Sequence, residues 1–143
     1  MAAHDALADA TSRGAHILIL SGGYGLVSAY EPIGMYEALM TRAWWPHNVL
    51  GRSLVAYAQA HRLSAMVAFL AATTDYAKVV RAVQWGAHGI APAVLVSPNT
   101  GGKGGALRSV PQAAGEAFAD FWCQELTPQW VSTGSLTLTA EAL

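Results

Sequence analysis

Charge is what this sequence has least of. Only 12% of its 143 residues are Asp, Glu, Lys or Arg, against roughly 25% in an average soluble domain. The eight Lys and Arg residues are scattered, and the formal net charge is -1. No three basic residues cluster, so the electrostatic footprint of a nucleic-acid binder is missing. A single cysteine, Cys123, excludes an internal disulfide and fits a reducing, cytoplasmic setting. Beside Phe121 and Trp122 it reads as helix packing rather than as a nucleophile. No apolar run reaches the roughly 18 residues of a membrane span, and no basic-then-apolar signal pattern opens the chain. The five histidines, His4, His16, His47, His61 and His88, show no His-x-x-His or His-Glu pairing. No metal site is expected from them, and no cofactor is implied.

What is abundant is apolar: 53% of the residues are hydrophobic. A surface this poor in charge is expected to be partly covered by a second subunit, giving a homo-oligomer. The alternative is a surface built of Ala, Gly, Ser and Thr. The length suits one domain with a real core. The expected organisation is a single α/β domain over residues 1–128 and a Ser/Thr-rich C-terminal tail over 129–143.

Residues 3 to 12 favour a short helix, stopped at Gly14. His16 to Leu20 forms a first strand, and residues 21 to 45 make a long connection with a helical turn around Tyr36 to Met40. A helix follows from Pro46 to Arg62, with Leu50, Leu54, Tyr57 and Ala58 at helical spacing. Ala65 to Ala71 reads as a second strand. Thr73-Thr74-Asp75 offers a cap for a helix carrying Tyr76, Val79, Val80 and Val83 on one face and ending near Gln84 to Gly86. Ala93 to Ser97 is a third strand, and Pro98 to Gly105 is a loop with four glycines. A last helix begins at Ser109 with the apolar face Ala114, Ala117, Phe118, Phe121 and Trp122. In the tail, the Ser135 to Thr139 alternation fits an edge strand and fits disorder equally.

Strand and helix alternate, which predicts a three-layer α/β fold: a mostly parallel sheet with helices on both faces. Parallel strands end along one edge, and ligands of open α/β sheets bind outside those ends. Three polar loops would converge there: Ser21 to Gly25, Thr73 to Tyr76, and Ser97 to Lys103. Ser21, Gly22, Gly23 and Gly25 let a backbone approach a ligand, or simply make a tight turn. Thr73, Thr74 and Asp75 are a helix cap whose free N–H groups also suit an anion. Lys103 lies in a glycine run that lacks the spacing of a Walker loop, so it reads as an anion cradle or a flexible loop. Tyr24 and Tyr36 each offer a stacking face and a hydroxyl, or buried packing. Glu31 and Glu37 are the carboxylates of the long connection and the candidates for acid–base work. Ser21 does not sit in a Gly-x-Ser-x-Gly elbow. Trp44 and Trp45 look like packing or interface anchors.

The run Leu20-Ser21-Gly22-Gly23-Tyr24-Gly25-Leu26-Val27, followed by Glu31-Pro32-Ile33 and Tyr36, resembles the peroxide-stress protein YaaA and its DUF6884-like relatives. Thr74-Asp75-Tyr76-Ala77-Lys78 is similar to the second strand-to-helix junction of that family. Met35-Tyr36 stands where the family pattern has Pro-Tyr, and Glu37 where it often has Arg. The resemblance spans residues 16 to 122. It implies an α/β fold and, in the family, a role in oxidative stress with DNA binding, which the scattered charge disfavours here.

The leading expectation is therefore a small-molecule pocket for an anionic, nucleotide- or nucleobase-type ligand at the strand ends. Ser21, Tyr24 and Glu31 would be catalytic in a hydrolase or group-transfer enzyme. Gly22, Gly23, Gly25, Tyr36, Thr73, Thr74, Asp75 and Lys103 would hold the ligand. The competing expectations are a DNA-binding stress protein and a non-catalytic assembly subunit.

Overall fold

A computed structural model describes residues 1–35, 40–100 and 108–143. The chain is a mixed α/β fold with four α-helices and two small sheets among these residues. Helix α1 (Ala3–Ser12) buries Ala6 and Ala10, which repeat at helical spacing on one face. It lies against α4 (Ser109–Trp122) through small residues: a Cβ on Gly115 would stand 3.3 Å from the Ala3 Cβ. The Trp122 indole N–H donates to the Asp9 carboxylate at 2.7 Å and fixes the crossing.

Strand β1 (Leu18–Ser21) does not join the main sheet. It forms an antiparallel hairpin with β2 (Gly25–Ser28), Leu18 opposite Ser28 and Ser21 opposite Gly25. Gly25 adopts φ +79, a left-handed value that lets the chain reverse within three intervening residues. The long connection thus contains a strand of its own.

The main sheet has the order β3 (Met66–Phe69), β4 (Ala93–Asn99), β5 (Thr137–Ala142). β3 runs parallel to β4, with Met66 opposite Ala93, and β5 runs antiparallel to it, with Val94 opposite Ala142. One parallel and one antiparallel pair replace the mostly parallel sheet expected from the sequence. The tail supplies β5, because the hydrogen-bonding edge of β4 accepts Thr137–Ala142 along its whole length.

Alternation along the strands sends side chains to opposite faces. Ala93 and Leu95 of β4 are buried with Val55, Ala58, Ala77, Val80, Trp85 and Ile90, and Met66 and Ala68 of β3 pack on the same cluster. These partners come from α2 (Val49–Ala60), α3 (Asp75–Arg81) and the turn after it. Phe69 faces the other way, toward Ala113 and Ala117 of α4 and Trp130 of the tail.

Several boundaries differ from expectation. Pro46–Asn48 is a separate 3-10 turn, and α2 begins only at Val49, because His47 and Asn48 take left-handed angles. Helix α3 stops at Arg81 rather than near Gly86. The chain then tightens into the 3-10 turn Trp85–His88, where Trp85 turns inward and its indole N–H donates to the Val80 carbonyl at 2.9 Å. On α4 the burial is carried by Ala113, Ala117 and Ala119, while Phe121 is exposed. The helical turn expected around Tyr36 to Met40, in its residues 36–39, and the glycine run 101–105 lie outside the described residues.

Leu95 and Trp85 sit at the centre of the core, each 1% exposed. Leu95→Ala is expected to cost about 2–5 kcal/mol through lost burial and the cavity left behind. Trp44→Ala, on the surface, is expected to change stability by less than about 0.5 kcal/mol. Urea denaturation of the two variants checks the contrast.

Candidate functional site

The exit of β1 is a tight turn. Ser21 is 3% exposed, and its hydroxyl oxygen accepts the Tyr24 N–H at 3.1 Å, closing the turn over Gly22 and Gly23. Gly25 lies hard against the Trp45 ring: a Cβ there would come within 2.9 Å of Cη2 and 3.2 Å of Leu50 Cδ2. Tyr24 is 47% exposed. Its ring stands at the surface, while its hydroxyl oxygen accepts the Gly34 N–H at 3.1 Å. The Glu31 carboxylate accepts the Ser28 N–H at 3.2 Å and closes the open end of the hairpin. Ser21, Tyr24 and Glu31 therefore occupy one hairpin, each with a hydrogen bond that shapes it.

The start of α3 is built as a cap. Thr74 has extended angles, and its hydroxyl accepts from the Ala77 N–H at 3.4 Å while donating to the Ala71 carbonyl at 2.7 Å. Thr73 is exposed beside it. Asp75 reaches in two directions: one carboxylate oxygen pairs with Lys78 Nζ at 2.8 Å, and the other accepts the Arg42 N–H at 3.0 Å. The Lys78 hydrogen bond first, then the Arg42 N–H, hold the Asp75 carboxyl below its usual range, outweighing partial desolvation.

These two exits meet at one corner. Residues 42 to 48 pass between them, with Trp45 against Gly25 and the Arg42 N–H on Asp75. Leu20 from β1, Trp45 and Tyr76 from α3 pack on the same buried cluster of Met40, Leu50 and Val79. Trp45 Nε1 is buried and has no hydrogen-bond partner among the described residues. Leaving such a donor unsatisfied costs about 1–3 kcal/mol. The sequence marks Trp45 as a packing or interface anchor rather than as a ligand contact, and nothing local marks Arg42. Tyr36, Glu37 and Lys103 lie outside the described residues.

A second polar cluster joins segments far apart in the chain. His16 Nδ1 and the Tyr57 hydroxyl are 2.7 Å apart, and the His61 ring stacks 4.2 Å from Tyr57 and 4.7 Å from His16. A cleft of about 270 Å³ opens beside it, bordered by Thr11, Ser28 and Tyr30. The cluster ties the entry of β1 to the end of α2. Among the described residues no three His, Cys, Asp or Glu side chains gather as metal ligands, and no helix is long and apolar enough to cross a membrane.

The chain matches no family model, no curated protein and no solved structure.

The carboxyl of Asp75 gives a signed pH prediction. Its folded value is depressed, so its contribution to stability is present above the unfolded value of about 3.9 and is lost as pH falls through the folded value. Thermal melts between neutral pH and pH about 2.5 are expected to show a steeper acid loss in the native chain than in Asp75→Asn.

Proposed function

We propose that the protein binds a small polar ligand of nucleotide or nucleobase type on the side where β1 ends and α3 begins. The reading rests on one observation: both exits converge on Trp45, whose buried indole N–H lacks an acceptor among the described residues. That N–H is closed off in this conformation, so a ligand acceptor would reach it when the turn around Trp45 opens, and pairing it would then remove the cost of leaving it unpaired. Tyr24, about half exposed and with its hydroxyl oxygen accepting the Gly34 N–H, would border the ligand. The likeness of Leu20–Val27 and Thr74–Lys78 to the YaaA family supports the same side of the fold.

The charge distribution favours a base or sugar near α3 over a phosphate. The Asp75 carboxylate already stands at that helix start, where it would repel a second anion. Hydrolysis or group transfer is the reaction class this reading would allow. Within it Glu31 is the better acid–base candidate, being exposed, whereas Ser21 is buried beneath its own turn. A second reading, assembly with another copy of the chain, draws on the exposed apolar side chains Tyr30, Ile33, Met35 and Trp44.

Thermal melting against nucleotides, nucleosides and sugar phosphates tests the first reading. At a hundredfold excess over Kd a true ligand adds about 2.7 kcal/mol, raising Tm by several degrees. Trp45→Phe removes the N–H together with the outer indole carbons Cζ3 and Cη2 that Gly25 packs on, so it is expected to lower Tm somewhat and to reduce the ligand-induced shift. Tyr24→Ala is expected to reduce it as well. A shift that both variants retain in full moves the ligand elsewhere. No shift, with a dimer by light scattering that Trp44→Ser dissociates, leaves assembly as the function.

A further inference from the structure

A groove of about 460 Å³ runs between α2 and the turn that follows α3, away from the exits of β1 and β3. Its chemistry is one-sided. Arg52, His47 and His88 border it, with the amides of Gln59 and Gln84, and among the described residues no Asp or Glu does. Arg52 makes no ion pair with a described residue. In a chain with so few charges, a guanidinium without a carboxylate partner beside two imidazoles is a local concentration of donors for an anion. Val55 and Val83 supply apolar wall between them.

The groove is also built at a conformational cost. His47 (φ 57) and Asn48 (φ 48) are consecutive non-glycine residues in the left-handed region, where L side chains crowd their own backbone. Asn48 is locked there. Its amide donates to the Val79 carbonyl at 3.3 Å and lies directly over Gly51, where a Cβ would stand 2.3 Å from Asn48 Nδ2 and 2.7 Å from Val83 Cγ2. Only glycine at 51 lets the amide cross α2 in this way. His47 from the turn before α2 and His88 from the turn after α3 both line the groove.

We propose that this groove binds a phosphate monoester carried on a small organic body. The guanidinium fork of Arg52 suits a phosphate bidentately, with His47 and His88 completing the cradle. The volume falls in the range of ordinary ligand sites and exceeds what a bare phosphate fills. The apolar wall of Val55 and Val83 would take the organic part.

Isothermal titration of the full chain with phenyl phosphate and with inorganic phosphate tests the site. Phenyl phosphate is expected to bind with saturation at millimolar concentration or below, and more tightly than inorganic phosphate. Arg52→Gln and His88→Gln are each expected to weaken it about tenfold or more. Arg62→Gln, outside the groove, is expected to leave it unchanged. His47→Gly separates binding from folding: glycine accepts the left-handed angle, so Tm is expected to hold or rise while affinity falls. Absence of saturable binding, an equal loss in Arg62→Gln, or unchanged affinity in His47→Gly and Arg52→Gln would each overturn the proposal.

Discussion

The indole of Trp85 fills the space between α2, α3 and the central strand β4, and the largest of the buried clusters among the described residues is built with it. It is almost fully buried, its N–H is satisfied by the Val80 carbonyl, and it shares a cluster with Val55 and Ala58 of α2, Ala77 of α3, Leu95 of β4 and Ile90 just before β4. A side chain that large is tolerated because its neighbours include alanines. Ala58, Ala77 and Ala93 leave room for the ring between the helices and the strand. Ending α3 at Arg81 is the consequence, since the chain must leave the helix to turn Trp85 inward.

The scarce carboxylates do a different task, tying peripheral elements to that core. Asp9 of α1 accepts from Trp122 of α4, and Asp120 of α4 accepts from the Trp130 indole in the tail. Glu116 accepts from both the hydroxyl and the N–H of Thr133. Burial pushes the Glu116 carboxyl up, but those bonds and the one from Gln112 outweigh it and leave the carboxyl below its usual range. Glu141 of β5 takes a two-pronged contact from Arg81 of α3. Most of these pairs are partly exposed, so each is individually weak. Their importance is placement: α1, the tail and β5 each hang on at least one.

Much of the secondary structure was legible because it is written in local periodicity. The apolar runs before Ser21 and at Ala93–Ser97 are strands, and the Ala-rich residues 3 to 12 form α1. What was not legible is partnership. Periodicity at Leu18–Ser21 marks a strand but does not say whether it pairs with β2 or with β3. The sign was nonetheless present: a glycine-rich gap of three residues separates Ser21 from Gly25-Leu-Val-Ser28, which is the spacing of a hairpin. The tail alternation fits an edge strand and disorder equally, and pairing with β4 is what makes it a strand running from Thr137 to Ala142. The candidate site was legible where glycine and capping chemistry are local, at Ser21–Gly25 and Thr74–Asp75. Contacts across long stretches of chain, such as His16 with Tyr57 and His61 or Arg42 with Asp75, leave no spacing to read.

One short segment connects the two candidate binding regions. Trp45 leans on Gly25 and Leu50, and two residues later His47 stands at the groove, with Pro46 between them. The left-handed pair costs about 1–2 kcal/mol per residue for an ordinary side chain, and less for Asn. The Asn48 bond to the Val79 carbonyl offsets about 1 kcal/mol of it. The corner therefore keeps its shape only while both ends are held: Trp45 by the glycine it presses on, Asn48 by the glycine it crosses. Neither glycine is replaceable by a larger residue without moving the corner. That requirement explains why Gly25 and Gly51, distant in sequence, serve a single piece of geometry.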